Sequence, residues 1–210
     1  MRNLDLIGQA EPIMGDARRA RPEDRDRSLE TVVAAFATDP LLRWVWPDDD
    51  RYAECGPAFF GLLLDLRLEG GEVWVVDEGA AVAMWNPPGG LYGVSPSGRW
   101  DALRKGFTEA ERAKWDVTDS RLAVPKGTPP HWYLGVLATQ PERQGQGLGR
   151  AVVAPILTAA DRIGMDAYLE TAKEANLGFY RACGFEVAHE TDLPDGGPRC
   201  WLMHRRPEQP

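Results

Sequence analysis

The stretch Gln144-Gly145-Gln146-Gly147-Leu148-Gly149 sets three glycines at alternate positions. It lies between an apolar run, Trp132 to Ala138, and a run that places Leu148, Val152, Ile156, Ala159 and Ile163 on one helical face. That order reads as strand, glycine turn, helix. With no side chain on one edge of the turn, several backbone N–H groups point into a shared concavity where a helix begins, and the positive end of the helix dipole adds to them. The chemistry that suits such a nest is the holding of an anion, and the expected ligand carries phosphates. Two phosphate loops fail against the letters. A Walker A loop ends Gly-Lys-Ser/Thr, whereas Arg150 and Ala151 follow Gly149; the dinucleotide fingerprint needs its third glycine where Arg150 or Val152 stands.

The pattern that does fit is Gln/Arg-x-x-Gly-x-Gly/Ala between a strand and a helix. A second block, Asn176-Leu177-Gly178-Phe179-Tyr180 with Gly184-Phe185 after it, follows in order. On these two blocks the chain resembles the GNAT superfamily of acyl-CoA-dependent N-acyltransferases. Within it, the chain is similar to the puromycin N-acetyltransferase group and its actinobacterial relatives through Ala35-Phe36-Ala37, Val73-Trp74-Val75, Gly79 to Trp85, Gln144 to Gly149, Ala151-Val152-Val153, Leu169-Glu170-Thr171 and Phe179-Tyr180. Residues 86–130 match that group poorly.

The resemblance implies an α/β fold with a mixed, mostly antiparallel sheet of about seven strands, flanked by helices and splayed between the strands at 132–139 and 166–171. It implies acetyl-CoA as donor, with coenzyme A as product. The pantetheine arm pairs with backbone near Leu137, Ala138 and Thr139, the last standing where an aliphatic residue is usual, and the pyrophosphate reaches Gln144, Gly145, Gln146, Gly147, Leu148, Gly149 and Arg150. Asn176 touches the arm or caps its helix. Arg143 and Arg150 are further phosphate contacts or solvated arginines. An amide on the strand, that of Leu137, polarises the thioester carbonyl.

Acyl transfer of this kind, by direct attack through a tetrahedral intermediate, needs an amine to lose a proton and a thiolate to gain one. Tyr180 occupies the general-acid position of many family members and also stands beside the cofactor; its phenol, near pKa 10, is close to a thiol in acidity. Glu170 is the candidate base, acting through a water, with Tyr133 and His131 as the other candidates. The expected acceptor is the primary amine of a small molecule, an aminonucleoside or other aromatic-bearing, antibiotic-like amine. The rivals are a protein N-terminal or lysine acetyltransferase and a non-catalytic acyl-CoA sensor; the 86–130 segment argues against the first and Tyr180 against the second.

The elements that must position these residues come from a 210-residue chain with 43% hydrophobic and 27% charged residues, which reads as one domain at 13–206 between short tails at 1–12 and 207–210. A net charge of −8 disfavours nucleic acid as a partner and suits cationic amines. Cys55, Cys183 and Cys200 follow no disulfide or zinc spacing, and the three histidines are scattered, so no metal is expected. With neither a secretory leader nor a spanning apolar run, the expectation is a cytoplasmic monomer or homodimer away from membranes.

In chain order the patterns predict a strand at 13–20 and a helix capped by Ser28 with Leu29, Val32, Val33 and Phe36 inward. An aromatic linker, 41–47, follows, with Trp44 and Trp46 read as core. Next come a helix through Tyr52, Cys55, Phe59, Leu62, Leu63 and Leu66, and a hairpin at 72–77 and 80–85. Two short helices split at Gly106, a loop over 116–130, the glycine-turn unit with Pro155 in its helix, a strand at 166–171, a helix at 175–183 and a final hairpin at 185–190 and 200–205 complete the chain.

Overall fold

The computed structural model describes residues 17–90 and 98–208. Its sheet has seven strands: β1 (Arg18–Arg19), β2 (Glu72–Val76), β3 (Ala81–Asn86), β4 (Trp132–Thr139), β5 (Ala167–Thr171), β6 (Glu186–Asp192) and β7 (Arg199–Arg205). The order across the sheet is β1-β2-β3-β4-β5-β7-β6, and every neighbouring pair is antiparallel except β4–β5. The helices are α1 (Arg25–Phe36), α2 (Pro40–Val45), α3 (Asp49–Gly70), α4 (Arg99–Arg104), α5 (Glu109–Leu122), α6 (Leu148–Arg162) and α7 (Leu177–Ala182). The α/β sheet of seven mostly antiparallel strands is the architecture expected.

Two apolar clusters cover the two faces. One joins Trp74, Ala83 and Trp85 of the sheet to Val152, Ile156 and Ala160 of α6 and to Leu177 and Tyr180 of α7. The other joins Val75, Val82 and Met84 to Val32 of α1, to Phe59, Phe60 and Leu64 of α3 and to Trp115 of α5. The strict alternation of β2 and β3 residues between these clusters is the period-two signature of a sheet buried on both faces.

Several sequence expectations change. The strand foreseen at 13–20 is observed only as Arg18–Arg19, its first residues lying outside the described ones. Ser28 does not cap α1; it is fully buried inside it. The helix starts earlier because Pro22 opens a 3₁₀ turn and Asp24 accepts from the Arg21 amide at 2.7 Å while pairing with Arg18, so the capping is done upstream. The aromatic linker contains α2: the Asp39 carboxylate accepts from the amides of Leu41 and Leu42 at 3.0 and 3.2 Å, with Pro40 in the first helical position. The segment 116–130 is not all loop, since α5 runs to Leu122. Trp115, Thr118 and Leu122 are buried at helical spacing, and the first proline beyond them is Pro125. Gly106 does split two helices, and Thr108 with Glu111 forms the expected capping box. Ile163 falls just past α6 and is 37% exposed.

Trp46 is core, as expected, and organises the second cluster. It is 0% exposed and its ring meets Phe59, Phe107 and Trp115 at centroid distances of 5.7, 5.5 and 5.7 Å, all edge-on. Trp46→Ala is expected to cost about 3–5 kcal/mol and to lower Tm by roughly 10 °C in calorimetry, since it removes a fully buried ring and its three aromatic contacts.

Candidate active site

The site begins with one irregularity in β4. Its residues pair with β3 in the order Thr139 to Ala81 through Val136 to Met84, but the next partner of Trp85 is Leu134, so Gly135 is an extra residue opposite the Met84/Trp85 step. That bulge shifts the side-chain parity. Trp132 and Leu134 face the α6/α7 cluster, whereas Val136 and Ala138, which simple alternation would keep on that face, join the α1/α3 cluster. The same step ends the pairing with β5: Trp132, Tyr133 and Leu134 pair with Ala167, Tyr168 and Leu169, while β4 continues to Thr139 and β5 to Thr171 without further partners between them. The two strands splay there.

A cavity of about 660 Å³ opens at the split. Tyr180, Asn176, Leu137 and Glu170 all line it, so the structure brings together residues foreseen on three separate elements. Tyr180 reaches it from α7 and is 8% exposed. Burial pushes its phenol above the ordinary value, with Cys183 and Asp39 adding to the effect. The near match to a thiol's acidity anticipated from sequence is therefore corrected: the phenol is held protonated, as a donor.

Glu170 sits in β5 opposite Leu202, directed away from the cluster that holds its neighbour Leu169. Burial raises its carboxyl to about 7 against a hydrogen bond from Tyr133 that lowers it; the same bond, with burial, drives the Tyr133 phenol well up. Of the other base candidates, Tyr133 is thus a donor to Glu170, and His131 holds its Nδ1 2.7 Å from the Pro129 carbonyl.

The glycine turn lies beyond the open end of β4. Gly145 and Gly147 have φ of 75° and 83°, and a methyl added at either would meet nothing within 4 Å. Glycine is required there by backbone conformation and not by crowding. The first donors of the α6 turn are Arg150 and Ala151, both bonded to Gly147 O at 3.1 and 3.0 Å, so the amides from Gly145 to Gly149 precede the helical ladder. Gln144 and Gln146 fold back, their Nε2 atoms donating to Thr139 O and Glu142 O at 3.3 and 3.4 Å. Amides without helical partners at the start of a helix of 15 residues have the chemistry to receive an anion such as a diphosphate. Arg150 is exposed beside it, whereas Arg143 is engaged at 2.7 Å by Asp77.

Charged cavity residues that the sequence does not single out include Arg67 of α3 and Asp119 of α5. The signal for Arg67 was present: it continues the buried stripe of Phe60 and Leu64 one turn on. Asp119 carries none, because the prolines of 116–130 give that segment the letters of a loop. Among the described residues no cluster of His, Cys, Asp and Glu suits a metal, the three cysteines are free, and no helix is long and apolar enough to cross a membrane.

Comparison with known proteins agrees with this geometry. The fold matches a Corynebacterium glutamicum structure described as histone acetyltransferase HPA2 and related acetyltransferase, at 25% identity and a TM-score of 0.65 over 94% of this chain and 99% of that one. It also matches arylalkylamine N-acetyltransferase 2 from Aedes aegypti, at 14% identity and a TM-score of 0.62 over 93% and 100%, a likeness of fold alone. A probable serine/threonine-protein kinase of Dictyostelium discoideum is 28% identical over 81 residues, 38% of this chain, and the match spans 11% of that relative's length. The family model for the acetyltransferase (GNAT) family matches residues 13–185, and with a splayed β4–β5 pair leading into the glycine turn, the chain belongs to the GNAT acetyltransferase family, an acyltransferase.

Proposed function

We propose that this chain moves the acetyl group of acetyl-CoA, the donor that enzymes of its family use, to the primary amine of a small molecule. The observation that carries this reading is the cavity at the β4–β5 split, which brings Tyr180, Glu170 and Asn176 to one space whose other walls are largely apolar. Acetyl-CoA supplies an activated carbonyl and a thiolate leaving group. The chain's own groups divide the rest. The free edge of β4 at Leu137, Ala138 and Thr139 offers backbone groups to an extended arm, the Leu137 amide faces the reacting carbonyl, and the 145–149 amides with Arg150 hold the phosphates. Asn176 borders the arm. Glu170 accepts the amine's proton, and the Tyr180 hydroxyl donates to the departing sulfur.

A small acceptor is favoured over a peptide because α5 and the segment after it form part of the cavity wall: Trp115, Leu122, Val124 and Pro125 all line it, together with Phe59 and Trp100. These rings and aliphatic groups suit an amine with an aromatic or bulky apolar body, a class that includes the aminonucleosides suggested by the likeness to the puromycin N-acetyltransferase group. Asp39, Asp119 and Glu170 in the same wall favour a cationic ligand. A thiol-release assay over a panel of arylalkylamines, aminonucleosides and N-terminal peptides tests this. Turnover of small amines is expected, and turnover of peptides alone overturns it.

The phosphate cradle has its own test. Gly147→Ala forces a left-handed backbone on alanine at a cost of about 1–2 kcal/mol, without a clash. Calorimetry should show coenzyme A affinity falling about tenfold, and unchanged affinity would place the diphosphate elsewhere.

A further inference from the structure

Arg67 is out of keeping with its surroundings. It extends the apolar stripe of α3 into the cavity wall, and its side chain is almost wholly buried. Its guanidinium lies against the β4 bulge: a methyl on Gly135 would stand 3.1 Å from Cζ and 3.5 Å from Nε, and closer still to Nη2. Nη1 donates to Leu63 O at 3.1 Å, while Nε has no hydrogen-bond partner. The charges of Tyr133 and Glu170 act on the group to raise its pKa, against the larger effect of burial. Burial lowers its pKa to about 10, so it remains a cation at neutral pH. A buried cation with an open donor is costly unless an anion completes it. Glu170 leaves that donor open, because its carboxyl is engaged by the Tyr133 hydroxyl and Arg67 acts on it through charge.

We infer that the acceptor is an α-amino acid or a close analogue, whose carboxylate docks on Arg67 while its amine faces Glu170 and its side chain fills the space bounded by Phe59, Trp100 and Trp115. This rests on the acyl-transfer reading above and narrows it. Arg67 and Glu170 line one cavity and act on each other electrostatically, so a molecule with amine and carboxylate on a single carbon satisfies both. The aromatic walls favour an aryl or large aliphatic side chain. Arg67 is then a specificity residue: it binds the acceptor and takes no part in proton transfer.

The test compares phenylalanine, its primary amide and phenethylamine as acceptors of the wild-type enzyme, with coenzyme A binding measured in parallel by calorimetry. A charge-assisted bond inside the protein predicts a kcat/KM for phenylalanine about 100-fold above that for phenethylamine, the amide falling between. In Arg67→Met the ratio should shrink to within about threefold. Calorimetric titration of phenylalanine into the coenzyme A complex reads the same contact without turnover, and its affinity should fall in parallel. Equal kcat/KM for phenylalanine and phenethylamine in the wild type, or a preference for the amine, overturns the carboxylate site and leaves acyl transfer standing. Absence of coenzyme A binding removes acyl transfer itself, and the carboxylate assignment with it. Because the wild-type comparison decides the matter, instability of Arg67→Met does not protect the inference.

Discussion

Tyr180→Phe is expected to lower kcat by about 10²–10³ while the affinity for coenzyme A stays within twofold. The hydroxyl is at the cavity and held protonated by burial, so its removal deletes the proton donor and leaves the ring in place. The ring packs edge-on against Phe179 and Phe185 at 5.3 and 6.2 Å, and phenylalanine preserves both contacts, so Tm should stay within about 2 °C. Pre-steady-state release of coenzyme A locates the loss: a slowed chemical step supports the acid, and wild-type kcat removes Tyr180 from catalysis. Its raised pKa fixes the direction of the pH dependence too. The phenol keeps its proton through pH 9, so any alkaline fall in kcat below that pH belongs to another group.

Glu170→Gln should change both rate and stability, in opposite directions. With the carboxyl at about 7, wild-type kcat/KM is expected to rise as pH climbs from 6 to 8, because the base works only when ionised. Glu170→Gln should lose that limb and fall about 100-fold at pH 8, rising only as the acceptor amine itself deprotonates. For stability the sign is reversed. The folded pKa lies above the ordinary carboxyl value of 4.5, so folding favours the protonated form, and that advantage disappears as pH rises from about 4.5 to about 7. The substituted amide never ionises. Its Tm relative to wild type should therefore be higher at pH 8 than at pH 5, by several degrees. An identical pH profile for variant and wild type would eliminate Glu170 as the base.

Much of this site is legible in the letters because it depends on backbone. Gly145 and Gly147 announce positive φ, the apolar run ahead of them announces a strand, and Tyr180 and Asn176 stand in a block with its own recognisable spacing. Glu170 could be placed at a strand end for the same reason. What escaped reading depended on tertiary partners. Ser28 carries the letter of a helix cap, yet Asp24 and Pro22 took that role and Ser28 went into the core. The stretch 41–47 lacks a helical length of its own and becomes α2 only because Asp39 caps it. In 116–130 the prolines signal loop, while the helix to Leu122 and the place of Asp119 on it follow from burial of Trp115, Thr118 and Leu122 at helical spacing. Arg143 looked available until the fold brought Asp77 within 2.7 Å. The bulge at Gly135 is silent in sequence, since a lone glycine in a strand signals either a bulge or a close approach, and here it provides both.

That single extra residue has an evolutionary reading. By reversing which way β4 presents its side chains halfway along, it lets one strand serve both layers: Trp132 and Leu134 pack with α6 and α7, Val136 and Ala138 with α1 and α3. Side-chain changes that reshape the aromatic walls fall in the α3/α5 layer, whose buried cluster shares no residue with the one that packs α6 on the sheet. The two layers can thus vary separately, one remodelled without repacking the other.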